Sequence, residues 1–162
     1  MRCVLKTQPW CLVAMGLLLA ACATTGTFRV PASGPGNYPP VVYAHRVGGE
    51  DVEIYWNCTQ PEPGLVEIDG VVQNVGGRDV KFMELNLVGV DSRDYSVSEA
   101  TTALPEIDLT INETSPFQMR LRAIGSEVRF DLYYQYYSSS RTGFPHRNFA
   151  RDACSPAQHL VH

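Results

Sequence analysis

Serines, histidines and acidic residues all occur in this chain of 162 residues, so hydrolytic chemistry is the first possibility to weigh. A serine hydrolase of the nucleophile-elbow type presents its hydroxyl on a Gly-x-Ser-x-Gly turn, and the chain has no such pattern. His146 and His159 fall in the C-terminal stretch, where a triad would lack rigid support. Metal binding is the second possibility. His159-x-x-His162 has ligand-like spacing but sits at the very end of the chain. Asp91, Asp94 and Glu99 could gather around calcium, yet they lack the spacing of a calcium loop, and solvated turn residues explain the aspartates better. No catalytic set, metal site or cofactor is therefore expected. Recognition is the third possibility, and it rests on tyrosines. Tyr55, Tyr133 and Tyr137 have outward parity in their segments. Tyrosine gives large contact area at low entropic cost, so the three could form a partner-binding patch. The alternative is that they pack under the linker or the C-terminal tail.

The first residues form an address. Arg2 and Lys6 supply a positive start, and an apolar stretch from Trp10 to Ala21 follows and ends in small residues. The stretch is too short to span a bilayer, which takes about 20 apolar residues. It ends in Leu19-Ala20-Ala21-Cys22, an apolar residue, two small ones and a cysteine. This resembles the lipobox of bacterial lipoproteins. The resemblance implies a diacylglyceryl group on the Cys22 thiol, cleavage between Ala21 and Cys22, and acylation of the new amine. Palmitate is the usual acyl group of such anchors. One chain holds only marginally, at about 0.8 kcal/mol per buried CH₂, whereas two or three on one residue hold permanently. Ala23 in place of an aspartate implies, by similarity to enteric lipoproteins, an outer membrane and a domain facing the periplasm.

Five cysteines are present. Cys3 and Cys11 would leave with the signal and Cys22 would carry lipid. Cys58 and Cys154 remain, and in an exported domain they form one plausible disulfide. Two buried free thiols are the alternative. The bond would close a loop of about 95 residues, which the chain-entropy model values at ~4–5 kcal/mol as an upper figure.

The formal charge of the whole chain is −4, and loss of Arg2 and Lys6 makes the mature chain more acidic. No basic excess exists to track phosphates, so nucleic acid is not expected as a partner. An acidic domain is also mildly repelled by anionic headgroups.

The elements that position these residues read as strands. Residues 22–49 are small, polar and broken by Pro31, Pro35, Pro39 and Pro40, which marks a flexible linker after the lipidated cysteine. Val41 to Tyr43 are the one stretch there that could add an edge strand. Period-two alternation then recurs. Val52, Ile54, Trp56 and Cys58 share one parity, as do Val66, Ile68, Gly70 and Val72. Met83, Leu85 and Leu87 share another, with Val80 and Phe82 on the opposite parity, which predicts a bulge or a two-faced strand. A weaker strand holds Tyr95 and Val97. Ile107, Leu109 and Ile111, then Phe117, Met119 and Leu121, then Val128, Phe130, Leu132, Tyr134 and Tyr136 complete the series. About seven short strands over 50–137 predict an immunoglobulin-like antiparallel β-sandwich, with a small barrel as runner-up. Residues 138–162 read as an irregular tail that Cys154 would hold down.

Val66-x-Ile68-x-Gly70-Val71-Val72-x-Asn74, a long alternating strand and a turn near Asp91 resemble the FxLYD-type domains of exported bacterial proteins over residues 65–137. These are immunoglobulin-like modules of mostly unassigned function. The motif's nearest counterpart, Leu87 to Asp91, lacks the aromatics.

The expectation is a lipid-anchored envelope protein acting as a non-enzymatic interaction or structural module. Its partners would be the membrane, through the anchor, and another envelope protein. The competing expectation is a membrane-tethered carrier of a small ligand or metal ion.

Overall fold

A computed structural model describes residues 28–29, 42–138 and 144–155. The segment 1–21 read as a signal, Cys22, and the pair His159 and His162 lie outside the described residues. Among those described, the strands in chain order are β1 (Phe28–Arg29), β2 (Val42–Tyr43), β3 (His45–Gly48), β4 (Val52–Glu62), β5 (Leu65–Asn74), β6 (Val80–Asp91), β7 (Ser96–Ala103), β8 (Asp108–Leu109), β9 (Thr114–Arg122), β10 (Glu127–Ser138) and β11 (His146–Ala150). One antiparallel sheet runs β3-β4-β5-β9. The second runs β11-β10-β6-β7, with β8 pairing to β6 beside β7. Among the described residues β1 and β2 pair only with each other.

The two sheets close face to face because their alternating apolar residues must leave water. Val52, Ile54 and Trp56 of β4 and Val66, Ile68 and Val72 of β5 are buried. So are Met83, Leu85 and Leu87 of β6, Phe117, Met119 and Leu121 of β9, and Leu132, Tyr134 and Tyr136 of β10. They form one core cluster. Each full burial of a large apolar side chain contributes roughly 1.5–3 kcal/mol, so the cluster is the main driving force. The chain changes sheet between β5 and β6, between β8 and β9, and between β9 and β10. The result is the expected all-β, immunoglobulin-like antiparallel sandwich.

β6 carries the predicted irregularity. Gln135 pairs with Glu84, but Tyr137 pairs with Lys81, so one extra residue is accommodated on β6. Phe82 takes a left-handed φ of 50° there. The bulge reconciles the two parities: Val80 and Met83 are both buried, and Phe82 is turned out to 61% exposure. A second register shift lies between Glu127 and Arg129. It turns Val128, expected inside, out to 63% exposure.

The segment expected to be a strand through Ile107, Leu109 and Ile111 is only the two-residue β8. Leu109 is buried, but Ile107 and Ile111 are exposed. Here the chain crosses between sheets: the Phe82 amide donates to the Ile107 carbonyl, and Asn112 turns at φ 64°. The weak strand around Val97 extends to Ala103, whereas Tyr95 lies outside it. β4 runs on to Glu62, so only Pro63-Gly64 separates it from β5.

The sandwich also outgrows its expected bounds. β3 lies within the stretch read as linker and is the edge strand added to β4, whereas Val42–Tyr43, expected there, pairs with β1 instead; β11 lies within the stretch read as an irregular tail. β11 adds itself to β10 from His146 opposite Tyr136 through Ala150 opposite Leu132. After it the chain crosses to the first sheet. The Ala153 amide donates to the Phe130 carbonyl, and Trp56 Nε1 donates to the Ala153 carbonyl at 2.7 Å. Cys154 is disulfide-bonded to Cys58 of β4, with Cα atoms 5.3 Å apart. The bond ties the C-terminal end of the second sheet to the first sheet.

Candidate functional site

The outer face of β11, β10 and β6 is built of two cross-strand rows. In the first, Tyr133 lies opposite Phe149 on one side and Asn86 on the other. The Tyr133 and Phe149 rings stack, with centroids 5.3 Å apart and planes 20° apart. In the second row, Gln135 lies opposite Arg147 and Glu84. Arg147 Nε donates to Gln135 Oε1 at 3.2 Å, and Gln135 Nε2 donates to Glu84 Oε1 at 3.1 Å. These two bonds orient the Gln135 amide. Glu84, Asn86, Tyr133, Gln135 and Arg147 line a shallow depression of about 230 Å³. The Asn86 Oδ1 atom is sealed from solvent and has no hydrogen-bond partner among the described residues.

Farther along the same face, Tyr137 meets Phe82 edge-on, with centroids 6.2 Å apart at 88°. Tyr133, Tyr137, Phe82 and Phe149 are all exposed. A non-glycine residue at positive φ costs roughly 1 kcal/mol or more, and here that strain holds an aromatic ring in water.

Tyr55 does not join this face. It lies on β4, in the other sheet, and is 6% exposed. Tyr43 of β2 covers it at 6.3 Å between ring centroids. Its hydroxyl donates to Glu53, whose other oxygen takes the Arg46 guanidinium, and that guanidinium carbon also lies 5.7 Å over the Tyr55 ring. Burial, then the hydrogen bond to Glu53, push the Tyr55 hydroxyl up to about 12. The group stays a neutral donor with a structural task. Outward parity was read correctly along each strand, but parity does not say which of two sheets a strand joins. The trio therefore splits into a packed Tyr55 and an exposed Tyr133 and Tyr137.

The acidic turn is also structural. Asp91 Oδ1 accepts the amides of Arg93 at 2.8 Å and Tyr95 at 3.0 Å. Asp94 receives Arg129 at 2.6 Å. Glu99 stands apart, on β7, opposite Val88. Among the described residues no cluster of three or more potential metal ligands occurs. His146 stacks on Tyr136 at 4.9 Å and 5°, with its Nε2 atom buried and unpartnered among the described residues. Tyr136 Oη in turn donates to Asp51 at 3.4 Å.

The members that sequence reasoning missed are Phe82, Phe149, Glu84, Asn86, Gln135 and Arg147. Outward parity marked Glu84, Asn86 and Gln135 within their strands. Nothing local marked Phe149 or Arg147, because β11 takes its place only through its partner strand.

No protein-family model matches the chain, and no curated protein does. Solved structures that match include the GAE domain of GGA2p from Saccharomyces cerevisiae, with a TM-score of 0.49 and 9% identity over 70% of this chain and 97% of that one. The GAE domain of yeast GGA1 matches with a TM-score of 0.48 and 9% identity over 66% and 96%. The structural-genomics target SoR45 matches with a TM-score of 0.43 and 17% identity over 68% and 91%.

Proposed function

We propose that the chain is a lipid-anchored, non-enzymatic recognition module of the cell envelope, and that the outer face of β11, β10 and β6 engages another envelope component. The observation that carries this reading is the exposed aromatic set on one face: Tyr133 stacked on Phe149, and Tyr137 against a Phe82 held outward at positive φ. Strained backbone persists where the surrounding structure over-determines it, and such positions cluster at functional sites. Support for the anchor is the lipobox-like Leu19-Ala20-Ala21-Cys22. Among the described residues no helix is long and apolar enough to cross a membrane. The lipid would attach the module to the outer membrane, facing the periplasm.

The test is in-cell crosslinking of the intact lipoprotein followed by mass spectrometry. The expected result is a specific envelope component that is lost in Cys22→Ala and reduced several-fold in Phe82→Gly. Glycine is at ease at positive φ, so Phe82→Gly should keep or slightly raise thermal stability while weakening capture. Unchanged capture in both variants would sink the reading. So would a hydrolytic activity that depends on a residue of this domain.

A further inference from the structure

We propose that the depression between Tyr133, Asn86, Glu84, Gln135 and Arg147 binds a neutral saccharide unit. This rests on the reading of the face as a recognition surface and names the chemistry of what it recognises. Small-ligand sites combine an apolar wall with a few fixed polar groups. Tyr133 supplies the wall: one ring face is taken by Phe149, and across the strands on its other side lies Asn86. The second row supplies the polar groups in a fixed sequence. Arg147 only donates, Gln135 donates and accepts, and Glu84 only accepts. A hydroxyl also does both, so a ring of hydroxyls can bond along the whole row.

Charge narrows the ligand further. Arg147 and Glu84 carry opposite charges at the two ends of one hydrogen-bonded row, so the row is neutral overall. A phosphate or carboxylate ligand would meet Glu84, and a cationic ligand would meet Arg147. A purely apolar ligand would leave the row unused and cover polar groups without replacing their water. Among the described residues, one oxygen of Glu84 and both terminal nitrogens of Arg147 take no part in these bonds and remain for a ligand. The volume of about 230 Å³ is below the roughly 300–1,000 Å³ of drug-sized sites and suits one sugar ring with water. A shallow site of this kind implies weak binding, with Kd on the order of 0.1–1 mM.

The full lipidated chain, in micelles of a detergent without sugar headgroups, would be titrated by calorimetry. The probes are neutral trisaccharides of glucose, mannose, galactose and N-acetylglucosamine, with a sialylated trisaccharide as the anionic probe. At least one neutral probe is expected to bind, and the sialylated one at least tenfold more weakly. Tyr133→Ala and Gln135→Ala should each weaken binding tenfold or more, whereas Ile124→Ala, in the exposed turn before β10, should leave it within about twofold. Gln135 is on the polar row, outside the apolar core, so its variant reports on the site even if Tyr133→Ala fails to fold. No binding of any neutral probe at about 10 mM, or binding that survives both alanine variants, overturns the proposal. A crosslinked envelope component retained without sugar binding overturns this site alone and leaves the recognition reading in place.

Discussion

Glu127 shows how one carboxylate organises a turn. It begins β10, just after the turn that leaves β9, and its oxygens accept Ser98 Oγ at 2.6 Å and the amides of Ile124 and Gly125 at 2.9 and 2.8 Å. Burial pushes its pKa up, but the Ser98 hydroxyl and these backbone amides outweigh it and bring it from 4.5 to about 2. The charged form is thus the one the fold binds. A depressed folded-state value contributes stability that is fully present above the unfolded value near 4.5 and is lost as pH falls toward 2. Glu127→Gln should therefore lower stability at pH 7 and flatten its fall between pH 4.5 and 2, as read from thermal melts across that range. An identical acid limb in the variant would refute the assignment. At this scale the sequence was a partial guide. It marked Tyr133 and Tyr137 as outward, but the Ser98 bond to Glu127 joins residues 29 apart in the chain and had no local signal.

The long strands were the legible elements, because a sheet with one buried face forces alternation in the sequence. Gly70 of β5 is the point where that pattern needs the smallest side chain. A Cβ there would overlap the Tyr55 carbonyl oxygen and come within 2.8 Å of the Phe117 ring. The backbone oxygen cannot move without breaking the β4-β5 ladder, in which Gly70 faces Trp56. Gly70→Ala should cost at least about 2 kcal/mol in urea unfolding, at the upper end of overpacking effects. A loss below about 0.5 kcal/mol would mean that the strands give way more easily than this packing allows. The bulge at Phe82 was legible too, as a clash of parities. β8 was misread because three alternating apolar residues look alike whether they line a core or cross between sheets. β11 was missed because His146 to Ala150 has no alternating apolar face, and its hydrogen bonds come from an existing sheet.

The whole molecule is closed by its C-terminal segment. The Cys58–Cys154 disulfide spans a sequence separation of 96, and the Trp56 indole is bonded to Ala153 beside it. Cross-linking a loop of that size limits the unfolded chain, worth ~4–5 kcal/mol at most. A Cys58→Ala, Cys154→Ala double variant should lose about 3–5 kcal/mol in urea unfolding and shift Trp56 fluorescence to the red as the segment over it loosens. Stability unchanged within about 1 kcal/mol would show that the sheets close without the bond.

Composition and alternation by themselves pointed to an all-β sandwich and its main inward residues, and the cysteines offered Cys58 and Cys154 as a plausible pair that only the structure joins. The sandwich and its inward residues follow from short-range rules: a period of two and turn residues. Which outward residues share a face was decided only in three dimensions. Tyr55 and Tyr133 have the same parity but belong to different sheets, and Phe149 and Arg147 reach the site through a strand that forms only on β10. Strand order and sheet membership depend on contacts between residues far apart in the chain, and no period along the chain encodes them.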